Sequence, residues 1–174
     1  MREGKIEFDF SGSDKAIKFD DTDYYKKKFN CMKGSKAVDF LIVRKDDFFI
    51  IEVKDYSIGP VNKDIFQIGK GENSIDRVIT RKISMTLAAL LGAHINSIAE
   101  LKDYTSSITD KAKNIRIVFF FEGDIVALTG MDEIVYKLAL VDSLKAELKW
   151  LTNDIVVLNL DEFERFTKFK ARIA

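Results

Sequence analysis

The sequence holds one cysteine, one histidine, one proline and one tryptophan in 174 residues. A single thiol, Cys31, excludes an internal disulfide, and with one histidine there is no zinc-ligand spacing. His94 standing alone also excludes a multi-histidine metal centre and any mechanism that needs two histidines. The charge has no dominant sign: 28 Lys+Arg balance 28 Asp+Glu, so the formal net charge is zero. Free-standing nucleic-acid binders are more often basic, because phosphate neutralisation drives much of their affinity. The neutral balance therefore argues against an autonomous, tight DNA binder and leaves local basic patches open. Nine glycines and one proline stand against fourteen phenylalanines, which points to buried regular structure rather than disorder. The first residues, MREGKIEFDF, are charged with no apolar signal region, and no run reads as a membrane span. The expected location is the cytoplasm, with no membrane partner.

What is present fits one domain over residues 1–174, with 47% hydrophobic and 32% charged residues. Residues 5–10 alternate apolar and polar as a half-buried strand does, and 14–30 leave room for a short helix near YYKKKF. Two short apolar runs, 37–43 and 48–53, flank a turn-like RKDD and have the pattern of central strands in a covered sheet. Gly59, Pro60, Gly69 and Gly71 mark a connection from 57 to 73. Ser74 then caps a helix to about His94, with Ile75, Ile79, Ile83, Leu87, Leu90 and Leu91 as its buried face. Residues 115–121 predict a buried strand, 132–151 an amphipathic helix, 154–160 a closing strand, and the C-terminus a short helix. The order predicts an α/β fold: a single mixed β-sheet flanked by helices. Cys31 and His94 are expected as packing residues, and Phe119–Phe121 and Trp150 as core or interface.

The tripeptide Glu-x-Lys occurs at Glu3, Glu52, Glu100 and Glu147, so alone it decides nothing. Only the Glu52 copy lies inside an apolar strand with an acid on the strand before it. If Arg44–Asp47 closes a tight hairpin, the loop centre falls between Lys45 and Asp46, and Asp39 lies directly opposite Glu52. Facing residues project to the same side, about 4.5–5.5 Å apart at Cβ. Lys54 shares that side, as do Leu41, Val43, Phe48 and Ile50. Two facing carboxylates at a sheet interior repel unless a cation lies between them, and Mg2+ suits such a pair. The same three residues also fit charged strand ends joined in a surface salt bridge, and spacing alone does not separate the two readings.

The stretch KAVDFLIVRKDDFFIIEVKDY resembles the core of the PD-(D/E)XK phosphodiesterases: an acid, a short hairpin, then Glu-x-Lys. The resemblance implies a restriction-endonuclease-like αβββαβ core and a nuclease acting on DNA. It makes Asp39 and Glu52 the metal acids, joined by the Val53 backbone carbonyl, with Lys54 as the catalytic lysine and Mg2+ or Mn2+ as cofactor. Val38 stands where the family often has proline. The family often adds an acid from a first helix, for which Asp20, Asp21 and Asp23 are candidates. Gln67, with Arg77 and Arg81 (joined by Ser84 on one helical face), are candidate site or phosphate contacts. Lys26, Lys27, Lys28 and Lys36, with Lys33, are candidate DNA-backbone contacts, although lysine runs and helix faces are commonly just solvated. The neutral charge suggests that target choice comes from a protein partner or a homodimer. The alternative function is a non-catalytic interaction or regulatory subunit on a nuclease-like fold.

Overall fold

The computed structural model describes residues 1–57 and 62–174; Gly59 and Pro60, two of the expected loop markers, lie outside the described residues. In chain order the elements begin with β1 (Arg2–Glu3), β2 (Ile6–Asp9), β3 (Lys15–Lys18), α1 (Asp23–Lys27), β4 (Phe40–Arg44) and β5 (Asp47–Asp55). Next come α2 (Ile75–Ile95), α3 (Lys102–Thr109), β6 (Asn114–Glu122) and α4 (Ile125–Thr129). The chain closes with α5 (Glu133–Leu148), β7 (Ile155–Leu158), α6 (Leu160–Thr167) and β8 (Lys170–Ile173). Five strands form the main sheet in the order β3-β4-β5-β6-β7, and three form a small sheet in the order β1-β2-β8.

Strands β3, β4 and β5 run antiparallel, whereas β6 lies parallel to β5 and β7 parallel to β6. The parallel step needs a long crossover, and α2 with α3 supplies it. The sheet is therefore mixed and helix-flanked, as the sequence predicts. Two differences from the expected element order stand out. No helix precedes the three-strand meander among the described residues; α1 sits inside the β3–β4 connection instead. A second sheet also forms, because β2 pairs with β8, with Ile6 facing Ile173 and Asp9 facing Lys170.

The two faces of the main sheet bury separate cores. On one, Leu41, Val43, Phe48, Ile50, Ile117 and Phe119 meet Ile79, Ile83 and Leu90 of α2 and Leu140 and Leu144 of α5. On the other, Phe40, Ile42, Phe49, Ile51, Val53 and Phe120 meet Ile6 and Phe8 of the small sheet and Phe163 of α6. Alternate residues of β5 thus face alternate cores, which is why its run is apolar on both sides. Each such large apolar side chain contributes about 1.5–3 kcal/mol when fully buried.

Helix α2 lies along the site-bearing face. Among the described residues it is the one helix long and apolar enough to cross a membrane, so the expectation that no run approaches a span needs correction. Part of its apolar surface packs on the sheet: Ile79 and Ile83 are 1% and 0% exposed. Leu91, assigned to the buried face, is exposed instead, and so are Cys31, His94 and Trp150. The two expected packing residues are therefore surface residues. Their elements turn them away from both cores.

Buried Thr86 of α2 accepts a hydrogen bond from the Val38 N–H at 3.1 Å, which fixes the helix against the entry to β4. Thr86→Val leaves that buried N–H unpaired. It should lower unfolding free energy by about 1–3 kcal/mol, measured by urea denaturation.

Candidate active site

The β4–β5 hairpin turns through Lys45 and Asp46, with Arg44 facing Asp47 and Phe40 facing Ile51. One rung further, the register sets Asp39 opposite Glu52, as the turn predicts. Both side chains point toward α2, and Asp39 and Glu52 are 4% and 2% exposed. The surface salt bridge between strand ends is thus replaced by a buried pair.

Asp39 is anchored by its own backbone and by its neighbour strand. Its Oδ2 accepts from the Val53 N–H at 2.6 Å, and its carbonyl accepts from the Phe19 N–H at 2.8 Å. Glu52 is held by two ammoniums. Lys54 Nζ lies 2.7 Å from Glu52 Oε1, and Lys82 Nζ, from α2, lies 2.6 Å from the same oxygen. Lys82 also donates to Glu52 Oε2 at 2.9 Å and stands 3.9 Å from Asp39 Oδ1.

A second group of acids adjoins Asp39. Carboxylate oxygens of Glu3, Asp20 and Asp39 all lie within 4.8 Å of one another. Glu3 arrives from the tip of the β1–β2 hairpin, where Gly4 takes a φ of +58° that a side chain would disfavour. Asp20 comes from a single 3-10 turn, Phe19–Asp21, at the end of β3. Of the three aspartates considered for the additional acid, Asp20 is the one beside Asp39. Asp21 and Asp23 are engaged at the surface by Lys26 and Lys27 at 2.8 Å each. Lys18 balances the outer acids, 2.9 Å from Glu3 and 4.0 Å from Asp20.

The electrostatics follow from burial and crowding. Burial first, and the charge of Glu52 second, push the Asp39 carboxyl up to about 7 despite Lys82 and the Val53 N–H. Burial likewise raises Asp20, whose Oδ1 is buried without a hydrogen-bond partner. For Lys54, burial opposes the charge, but the charge of Glu52 and its hydrogen bond prevail and hold the ammonium above the usual lysine range. Lys54 is therefore a cation here, suited to stabilising negative charge rather than to accepting a proton.

Among the described residues, the other sequence candidates make no hydrogen bond or ion pair to Asp39, Glu52, Glu3 or Asp20. Gln67 is exposed, bonds to Asp64 at 3.2 Å, and lines a cavity of about 460 Å3 with Phe66, Leu128 and Tyr136. Arg77 and Arg81 are exposed on α2, and Ser84 is half-buried. Lys26, Lys27, Lys28 and Lys36 are exposed, with Lys26 and Lys27 already paired to aspartates. Sequence reasoning missed Glu3 and, with less excuse, Lys82. Its signal was there: Ile75, Ile79, Lys82, Thr86, Ala89 and Ala93 follow a strict four-three spacing along one helical seam. A lysine in such a seam must find buried partners.

A family described as a family of unknown function (DUF6661) matches residues 22–170. The chain belongs to that family. No curated protein and no solved structure matches it. The DUF6661 span takes in Asp39, Glu52, Lys54 and Lys82, whereas Glu3 and Asp20 precede it.

The raised Asp39 carboxyl fixes a sign. The folded state binds the proton more tightly than the unfolded chain, so Asp39 contributes stability that is present below pH 3.8 and lost as pH rises through about 7. In chelator, wild-type unfolding free energy should fall across that window. Asp39→Asn should lack this part of the slope, as urea titrations at stepped pH would show.

Proposed function

We propose that this chain is a metal-dependent nuclease that hydrolyses phosphodiester bonds in DNA, on a restriction-endonuclease-like core. One observation carries the reading: Asp39 and Glu52 face each other, buried, across one hairpin, with the Lys54 ammonium 2.7 Å from Glu52. The antiparallel meander followed by a parallel strand supports it.

The residues present fit a hard divalent cation. Three carboxylates converge within 4.8 Å, and one buried oxygen of Asp20 has no hydrogen-bond partner. Asp39, Asp20 and Glu3 would hold Mg2+ or Mn2+ through carboxylate oxygens, and the resemblance adds Glu52 and the Val53 carbonyl to the donors. Such an ion, when bound, supplies a lowered pKa for water and an offset to charge developing on phosphate.

The chain's own groups do the remainder. Lys54, held as a cation, stabilises negative charge on the scissile phosphate and orients the attacking water. Water attacks phosphorus in line, the bond to the 3′ oxygen breaks, and the 3′ oxygen takes up a proton. The products are a 5′-phosphate and a 3′-hydroxyl. Exposed Lys28 and Lys36, outside the aspartate pairings of Lys26 and Lys27, would be available to the DNA backbone. With zero formal net charge, strand or target choice falls to a protein partner or a second copy.

A second reading, a non-catalytic interaction subunit, is favoured by one specific feature. Lys54 and Lys82 together already neutralise Glu52, which is 2% exposed. The two readings separate in a cleavage panel of supercoiled, linear, single-stranded and branched DNA plus RNA, with Mg2+ or Mn2+. The nuclease should cut one of the DNA substrates, and Lys54→Ala should slow it by on the order of 100-fold or more. An inert wild type across the whole panel would favour the interaction subunit. Cutting that survives Lys54→Ala would displace the site.

A further inference from the structure

The two acids that face each other across the hairpin are matched by two lysines from different elements. Lys54 belongs to β5, the strand that also carries Glu52. Lys82 reaches in from α2, where its seam position forces the ammonium toward the sheet. Its Nζ contacts both oxygens of Glu52, at 2.6 and 2.9 Å, and lies 3.9 Å from Asp39 Oδ1.

A lysine ammonium and a divalent cation seek the same partners, carboxylate oxygens stripped of water. Lys82 sits on both oxygens of Glu52 and stands 3.9 Å from Asp39. With two ammoniums already beside these acids, two further positive charges would meet Lys82 at close range in a medium that screens poorly. Asp39 belongs both to this quartet and to the group with Glu3 and Asp20. An ion bound through Asp39 therefore faces Lys82 whichever other acids share it. Lys82 also has somewhere to go: its side chain is 14% exposed, and its stem is a flexible four-carbon chain.

We propose that Lys82 is the resident counter-cation of the site: it holds Asp39 and Glu52 together in the cation-free protein, and a divalent cation binds only as Lys82 withdraws. The proposal rests on the reading of this cluster as a metal site. It makes α2 a determinant of cation affinity, through a residue outside the Asp–Glu–Lys motif. Removing the ammonium should destabilise the cation-free protein, because two buried carboxylates are then left with one lysine, and should strengthen cation binding.

The test uses the whole chain and Mn2+ alone. By calorimetric titration, Lys82→Met should bind Mn2+ at least tenfold more tightly than wild type, and its Tm should be lower in chelator and recover with Mn2+. Lys82→Arg, which keeps the charge, should bind no more tightly than wild type. Equal or weaker binding by folded Lys82→Met, or no Mn2+ binding by either form, would overturn the proposal. If Lys82→Met does not fold, wild type decides. Acetylation of Lys82 by an amine-reactive ester, followed by mass spectrometry, should rise at saturating Mn2+. That of Lys137, paired to Glu133 and Glu162 elsewhere, should not. A Lys82 that stays shielded with Mn2+ bound would refute the exchange. DNA cleavage is read separately. Tight Mn2+ binding by Lys82→Met without any cutting would remove the nuclease and leave the exchange standing, and cation-dependent cutting with Lys82 shielded would do the reverse.

Discussion

Strand β5 is covered on both faces along most of its length, by α2 and α5 on one side and by the small sheet and α6 on the other. In that setting a charged side chain survives only if it is matched locally, since an unpaired buried charge is far costlier than any single apolar contact is favourable. Glu52, the one acid buried within the strand, accordingly dictates its neighbourhood. Lys54 must follow it on the same face, Lys82 must come down from the helix, and Asp39, anchored by the Val53 N–H, must share the positive charge. Four ionisable groups from three elements are thereby held in one arrangement, and the apolar layers around them set the distances.

Two design pressures meet in this cluster. As structure, it is an expensive way to join a hairpin to a helix, because apolar residues of similar volume would pack there without a desolvation cost. As chemistry, the same features are assets: crowded oxygen donors, an acid displaced to about 7 and a lysine held charged. The tension explains why the architecture alone says little and why the placement of individual atoms carries the functional reading.

The hairpin was legible because its signal is local. A two-residue turn between apolar runs fixes the register, and the register alone puts Asp39 opposite Glu52. Helix α2 was legible as an element for the same reason, yet its single internal lysine was not. Counting only apolar positions hides a charged residue that occupies a seam, whereas Arg77 and Arg81 share an outward stripe. Glu3 and the small sheet lay beyond reach, since nothing in IEFD or KARI announces that residues 6–9 pair with 170–173. Helix α3, KDYTSSIT, was missed because its serines and threonines are weak helix formers, and packing rather than propensity holds it in place. The strand expected over 154–160 ends at Leu158, because the capping box of Asn159 and Glu162 starts α6 at Leu160.

The small sheet has a kinetic meaning as well as a structural one. Its central strand β2 is held by β1 beside it and by β8, some 165 residues away along the chain, as the Arg172–Glu7 contact shows. Closing that loop is the longest search the chain must make, and such non-local pairings form late. Glu3 lies on β1, an edge strand of this sheet. That carboxylate joins Asp39 through the small sheet, and a chain in which residues 2–9 are not yet folded would carry the hairpin acids without their complete set of neighbours.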